Sequence, residues 1–77
     1  MQRKEFLQLL EELLELDDNT LTGGEKLLDL PNWSSLTLIG LIAMVDEEFN
    51  ITLSPNAILE SNTVDGFIAL LGDQIDD

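Results

Sequence analysis

The stretch Ser34-Ser35-Leu36-Thr37-Leu38-Ile39-Gly40-Leu41-Ile42-Ala43-Met44-Val45-Asp46-Glu47-Glu48-Phe49-Asn50 decides the fold. It opens on paired serines, whose side-chain oxygens suit the free N–H groups at a helix start. It closes on Asn50, one of the few residues that accept the left-handed conformation after a helix. At 3.6 residues per turn, Leu38, Leu41, Ile42, Val45 and Phe49 fall on one side, the stripe of a helix facing a core. The opposite side carries Leu36, Ile39, Gly40, Ala43 and Glu47, with Asp46 at one edge and Thr37 and Met44 at the other. A surface helix is normally polar there. An apolar strip bordered by carboxylates belongs either to a helix buried on both sides or to a surface that partners grip. A chain of 77 residues has few elements with which to bury both sides, so we read the strip as a docking surface.

Upstream, Phe6, Leu9, Leu10 and Leu13 have the spacing of a helix face, widened by Leu7 and Leu14. This predicts a first helix from Gln2 to about Leu16. Residues 17 to about 34 read as a long loop, broken by Gly23-Gly24, Pro31 and Asn32. Leu21, Leu27, Leu28 and Leu30 lie in it, and some of them are expected to pin it to the core. Trp33 is read as a further packing anchor. Downstream, Ser54-Pro55 is an N-cap followed by proline at the first helical position, opening a short helix with Ala57, Ile58 and Leu59. Asn62 or Thr63 caps a last helix, whose buried face is Val64, Phe67, Ile68, Leu71 and Ile75. The fold class is all-α: a small four-helix bundle in one domain, 1–77, with three long helices, one short one and a long loop between the first two.

Composition narrows the chemistry. The chain has 16 acidic residues against three basic ones, so nucleic acid and anionic membranes are poor partners. A protein with a basic patch is the complementary one. The absence of Cys and His removes disulfides, a structural zinc site and the commonest proton-transfer side chain. No basic residue flanks any serine to activate it. The expectation is therefore a protein that is not an enzyme and binds no metal. Asp18, Thr20, Thr22, Gly23 and Asp29 only faintly match a calcium loop, with too few carboxylates. The longest apolar run, Leu38 to Val45, is too short to cross a bilayer, and no signal-peptide core opens the chain. We expect a cytoplasmic monomer.

Ser34 and Ser35 need no role beyond capping. A helix N-terminus nevertheless carries free N–H groups and a partial positive charge, which suit a covalently attached phosphate.

From Ser35-Leu36 through Leu38–Asn50 to Ile51, the chain resembles the acyl carrier protein family. There an Asp-Ser-Leu motif precedes an apolar helix ending in an acidic run, Phe, Gly and Ile. Thr63-Val64 and Phe67-Ile68 resemble that family's last helix, so the likeness spans nearly the whole chain. The resemblance implies that Ser35 receives 4′-phosphopantetheine from a phosphopantetheinyl transferase that uses coenzyme A. It also implies that the arm's thiol holds an acyl group as a thioester for acyl-loading and acyl-using enzymes, as in fatty acid or secondary metabolite biosynthesis. Leu36, Ile39, Ala43, Asp46 and Glu47 would form the docking surface. Two positions depart from the family pattern: Ser34 replaces the aspartate, removing a charge that transferases commonly contact, and Gly40 replaces a frequent acidic residue. For a carried chain, the expected lining is Leu41, Ile42, Val45, Ile58 and Phe67, with the bundle opening to admit it. The alternative is an unmodified acidic interaction module of the same fold.

Overall fold

The computed structural model describes residues 1–76; Asp77, the last residue of the expected domain, lies outside them. Four helices follow one another: α1 (Arg3–Leu13), α2 (Ser35–Phe49), α3 (Pro55–Ser61) and α4 (Val64–Leu70). Single 3₁₀ turns at Leu27–Asp29 and Gly72–Gln74 punctuate the loop and the C-terminal segment. The structure is the small all-α bundle the sequence predicts, though α4 has seven residues, as α3 does. Gly72 (φ +56°) turns the chain out of the helix, which leaves Ile75 beyond it and half-buried.

Every helix supplies one buried stripe. Phe6, Leu10 and Leu14 come from the first helical segment, Leu41 and Val45 from α2, Ile58 from α3, and Val64, Phe67 and Ile68 from α4. Phe6 is the hub: its ring lies 5.7 Å from Phe67 and 6.0 Å from Phe49, both within the favourable range for aromatic pairs. The loop adds Leu21, Leu27 and Leu30 to this core, whereas Leu28 points outward with 65 % of its surface exposed. Trp33 packs half-buried against the same core.

Local chemistry explains the boundaries. Ser54 accepts the Ala57 N–H at 3.1 Å, and Thr63 accepts the Gly66 N–H at 3.0 Å. Asn50 adopts the left-handed conformation (φ 58°) and donates its N–H to Asp46, closing α2. Helix α1 stops at Leu13, earlier than the apolar pattern suggests. Glu15 sits at φ 59°, Glu15 N–H bonds Glu12 C=O, and Leu16 N–H bonds Glu11 C=O at 2.8 Å. That pair of bonds is the Schellman closure, made here without glycine. Asn32 adds a side-chain N–H to the Leu14 carbonyl at 2.7 Å.

Two backbone seams tie distant segments together. Arg3 N–H bonds Asp76 C=O and Asp76 N–H bonds Met1 C=O, each at 2.7 Å, which joins the two ends of the described chain. The loop is held to the start of α4 by Leu27 N–H to Asn62 C=O, Val64 N–H to Glu25 C=O and Asp65 N–H to Gly23 C=O.

Candidate functional site

The start of α2 is organised by a reciprocal cap. Ser34 Oγ accepts the Thr37 N–H at 3.3 Å, while Thr37 Oγ1 accepts the Ser34 N–H at 2.7 Å. The Thr37 hydroxyl donates back to the Ser34 carbonyl at 2.8 Å. This fixes Ser35 as the first helical residue, with its side chain exposed. No acidic residue occupies the first turn, so the partial positive charge of the helix end is not neutralised there.

From Ser35 the exposed strip runs down α2. Leu36 is 81 % exposed and Ile39 62 %, far more than leucine and isoleucine normally show. Ala43, Asp46 and Glu47 are exposed along the same helix. Gly40 behaves differently from the reading that put it on this strip. It is half-buried at the crossing with α1, where an added Cβ would lie 3.1 Å from Leu13 Cδ1. The missing side chain lets α1 and α2 approach, and it is not a surface position that has lost a charge.

The expected cargo-lining residues lie in or against the core. Leu41, Val45, Ile58 and Phe67 have 1 % exposure or less, and Ile42 is half-buried against them. A hollow of about 300 Å³, half open to solvent, lies elsewhere, among the residues of the loop itself. Its apolar lining is Leu16, Leu21, Leu30 and Pro31; its polar lining is Thr20, Glu25, Lys26 and Asp29.

Three acidic residues shape that loop, and sequence reasoning passed over two of them, Glu11 and Glu25. Glu11, buried on α1, accepts the N–H groups of Leu21 and Asn19. Its signal in the sequence is an acid flanked by Leu7, Leu10 and Leu14 on an apolar face. Glu25 accepts the Thr22 N–H, the Thr22 hydroxyl and the Gly23 N–H at 2.8–3.0 Å. Partial burial pushes its carboxyl upward, but bonds from the N–H groups of Gly23, Thr22 and Glu25 itself and from the Thr22 hydroxyl outweigh that. Its pKa is therefore lowered. Asp65 pairs with Arg3, whose guanidinium also reaches the Thr22 carbonyl at 2.9 Å. Among the described residues, no three acidic side chains converge where a metal ion would sit. Among them too, no helix is long and apolar enough to cross a membrane.

The family model described as phosphopantetheine attachment site matches residues 4–71 of the chain. The chain belongs to this family. No curated protein and no solved structure matches it. Phosphopantetheine attachment domains are carriers and do not catalyse; their group, 4′-phosphopantetheine, is held covalently, and they interact with a phosphopantetheinyl transferase and acyl-processing enzymes. The α2 end fits such a group: an exposed hydroxyl at the first helical position, unneutralised N–H groups beside it, and no acid in that turn to repel a phosphate. When bound, the arm supplies the thiol that a chain without cysteine lacks.

Proposed function

We propose that this carrier domain holds an acyl group as a thioester on 4′-phosphopantetheine attached to Ser35 Oγ, and presents it to partner enzymes. The observation that carries this reading is the exposure of Ser35 at the first residue of α2, directly before Leu36 and Ile39. The residues around it divide the labour. Ser34 and Thr37 fix the helix start and so aim the Ser35 hydroxyl at solvent. Leu36, Ile39 and Ala43 supply apolar contact area, and Asp46 and Glu47 supply charge for a partner's basic patch. A net charge of −13 supports a domain that works as a monomer, away from nucleic acid and anionic membranes.

The test is intact-mass measurement after incubation with coenzyme A and a promiscuous transferase. Wild type is expected to gain one phosphopantetheine, and Ser35→Ala none. An unmodified wild type, or an adduct retained in Ser35→Ala, would remove this reading. One observation favours the second reading, an unmodified interaction module: the neutral Ser34, with its side chain engaged by Thr37, where the family carries an aspartate. A partner complex whose affinity ignores both Ser35→Ala and the arm would select it.

A further inference from the structure

We propose that Thr37 decides which of two adjacent serines accepts phosphopantetheine: its hydroxyl commits Ser34 to the helix cap and leaves Ser35 as the acceptor. This rests on the carrier reading above. The chain offers two hydroxyls side by side, Ser34 and Ser35, and both residues are exposed. Exposure therefore does not choose between them. Nor does capping preference alone, since either serine is a good N-cap and α2 could open after either one.

Reciprocity makes the choice. A capping box needs a side-chain oxygen three residues after the cap. Counted from Ser34, that residue is Thr37; counted from Ser35, it is Leu38, which has no such oxygen. The Thr37 hydroxyl accepts the Ser34 N–H at 2.7 Å and donates to the Ser34 carbonyl at 2.8 Å, while Ser34 Oγ accepts the Thr37 N–H at 3.3 Å. These three bonds hold Ser34 extended at the N-cap, and Ser35 follows as the first helical residue.

The cap also separates the two oxygens chemically. In attachment, serine Oγ bonds to the phosphorus of coenzyme A that bears pantetheine. The pyrophosphate P–O bond breaks, adenosine bisphosphate leaves with its electron pair, and the hydroxyl proton passes to a base of the transferase. The reacting oxygen must turn a lone pair to phosphorus. At Ser34 a lone pair already receives the Thr37 N–H, and reaction there would sacrifice that bond and the box it completes. Reaction at Ser35 leaves the box intact. Without the Thr37 hydroxyl the two registers become alike, each closed by one side-chain bond, and Ser34 is freed in one of them.

The experiment compares wild type, Thr37→Val, Thr37→Ala and Thr37→Ser after incubation with coenzyme A and the promiscuous transferase. Intact mass counts the adducts, and fragmentation of the modified peptide assigns each to Ser34 or Ser35. Wild type and Thr37→Ser are expected to carry phosphopantetheine on Ser35 only. The valine and alanine variants are expected to divide it between Ser34 and Ser35, with kcat/KM about fivefold lower, the factor a lost cap is typically worth. NMR of the unmodified proteins gives a readout independent of the transferase. The Ser35 Cα and Cβ shifts are expected to be helical in wild type and to move toward extended values in the valine and alanine variants. Attachment confined to Ser35 in both of those variants overturns the selection by Thr37 and leaves the carrier reading standing. A wild type without an adduct, or with its adduct on Ser34, removes both.

Discussion

The carboxylate of Glu11 accepts the backbone N–H of Leu21 at 2.9 Å, ten residues further along the chain. With 1 % of its surface exposed, it also takes the Asn19 N–H at 3.2 Å. One buried side chain thereby sets the path of the loop leaving α1. Glu11→Ala leaves both donors without this acceptor, and an unpartnered buried donor costs about 1–3 kcal/mol. We expect a loss of about 2–3 kcal/mol in urea unfolding. Glu11→Gln retains one acceptor and is expected to lose about half as much. An alanine variant as stable as wild type would mean that the loop is positioned by something else.

Glu25 predicts a pH dependence with a definite sign. Its folded pKa lies below the ordinary glutamate value, because the bonds from Thr22 and Gly23 favour the charged form more than burial opposes it. The stabilisation is therefore fully present above the unfolded value of about 4.3 and is lost as pH falls through the folded one. Glu25→Gln is expected to be less stable than wild type at pH 7, with the gap narrowing steadily below about pH 4.3. Parallel thermal melts at pH 7, 4.5 and 3 check it; a gap that widens on acidification would reverse the sign.

What the sequence made legible was local. The cap at Ser54 and the left-handed Asn50 each depend on one residue's chemistry and its immediate neighbours, and both stand in the structure; of the two cap candidates before the last helix, Asn62 and Thr63, the structure takes Thr63. Ser35 likewise stands at the start of α2. Tertiary choices were not legible. Leu27 and Leu28 look alike in sequence, and only the 3₁₀ turn decides that the first is buried and the second exposed. A helical wheel puts Gly40 on the outer strip, but Leu13 of α1 packs there, so the crossing of two helices overrides the periodicity of one. The end of α1 was hidden because its left-handed residue is a glutamate. The hollow in the loop was hidden because it brings together residues 16 to 31 along a path set by the Glu11 and Glu25 hydrogen bonds, which no local pattern announces.

That glutamate gives a stabilising substitution. Glu15 holds φ 59°, a conformation costing a side chain about 1–2 kcal/mol, whereas glycine adopts it freely. It also places a negative charge just past the negative end of α1. Glycine's greater freedom in the unfolded chain offsets part of the benefit, by roughly 0.5–1 kcal/mol. Glu15→Gly is expected to gain about 0.5–1 kcal/mol net, raising Tm by roughly 2–8 °C in a domain of this size. A lower Tm would show that the glutamate makes a compensating contact.

Gly66 and Gly24 are expected to respond oppositely to alanine. A Cβ on Gly66 would run into the Ser61 carbonyl oxygen, and that oxygen also accepts the Thr63 N–H in the tight α3–α4 corner. Backbone cannot swing aside as a side chain does, so Gly66→Ala is expected to cost about 1–3 kcal/mol, the range for overpacking. Nothing lies within 4 Å of a Cβ on Gly24, and Gly24→Ala is expected to be neutral or slightly stabilising. Denaturant midpoints of the two variants decide it.

Attachment at Ser35 should itself alter stability. The first turn of α2 holds no acid, and its cap is the neutral Ser34, so a phosphodiester on Ser35 would be the first negative charge at that helix end. Such a charge is worth about 0.3–1 kcal/mol at low ionic strength and acts within one turn. Repulsion from the rest of the acidic chain opposes it. At about 0.1 M salt, however, charges more than ~10 Å away are largely screened, and the local term prevails. The modified domain is expected to melt a few degrees above the unmodified one at that salt. The difference should shrink toward zero near 1 M, where screening reaches ~3 Å. Ser34→Asp supplies the control. It puts a carboxylate at the N-cap beforehand, so the same modification should raise its Tm by less. Equal gains in the two backgrounds would mean that the arm stabilises through contacts and not through the helix end.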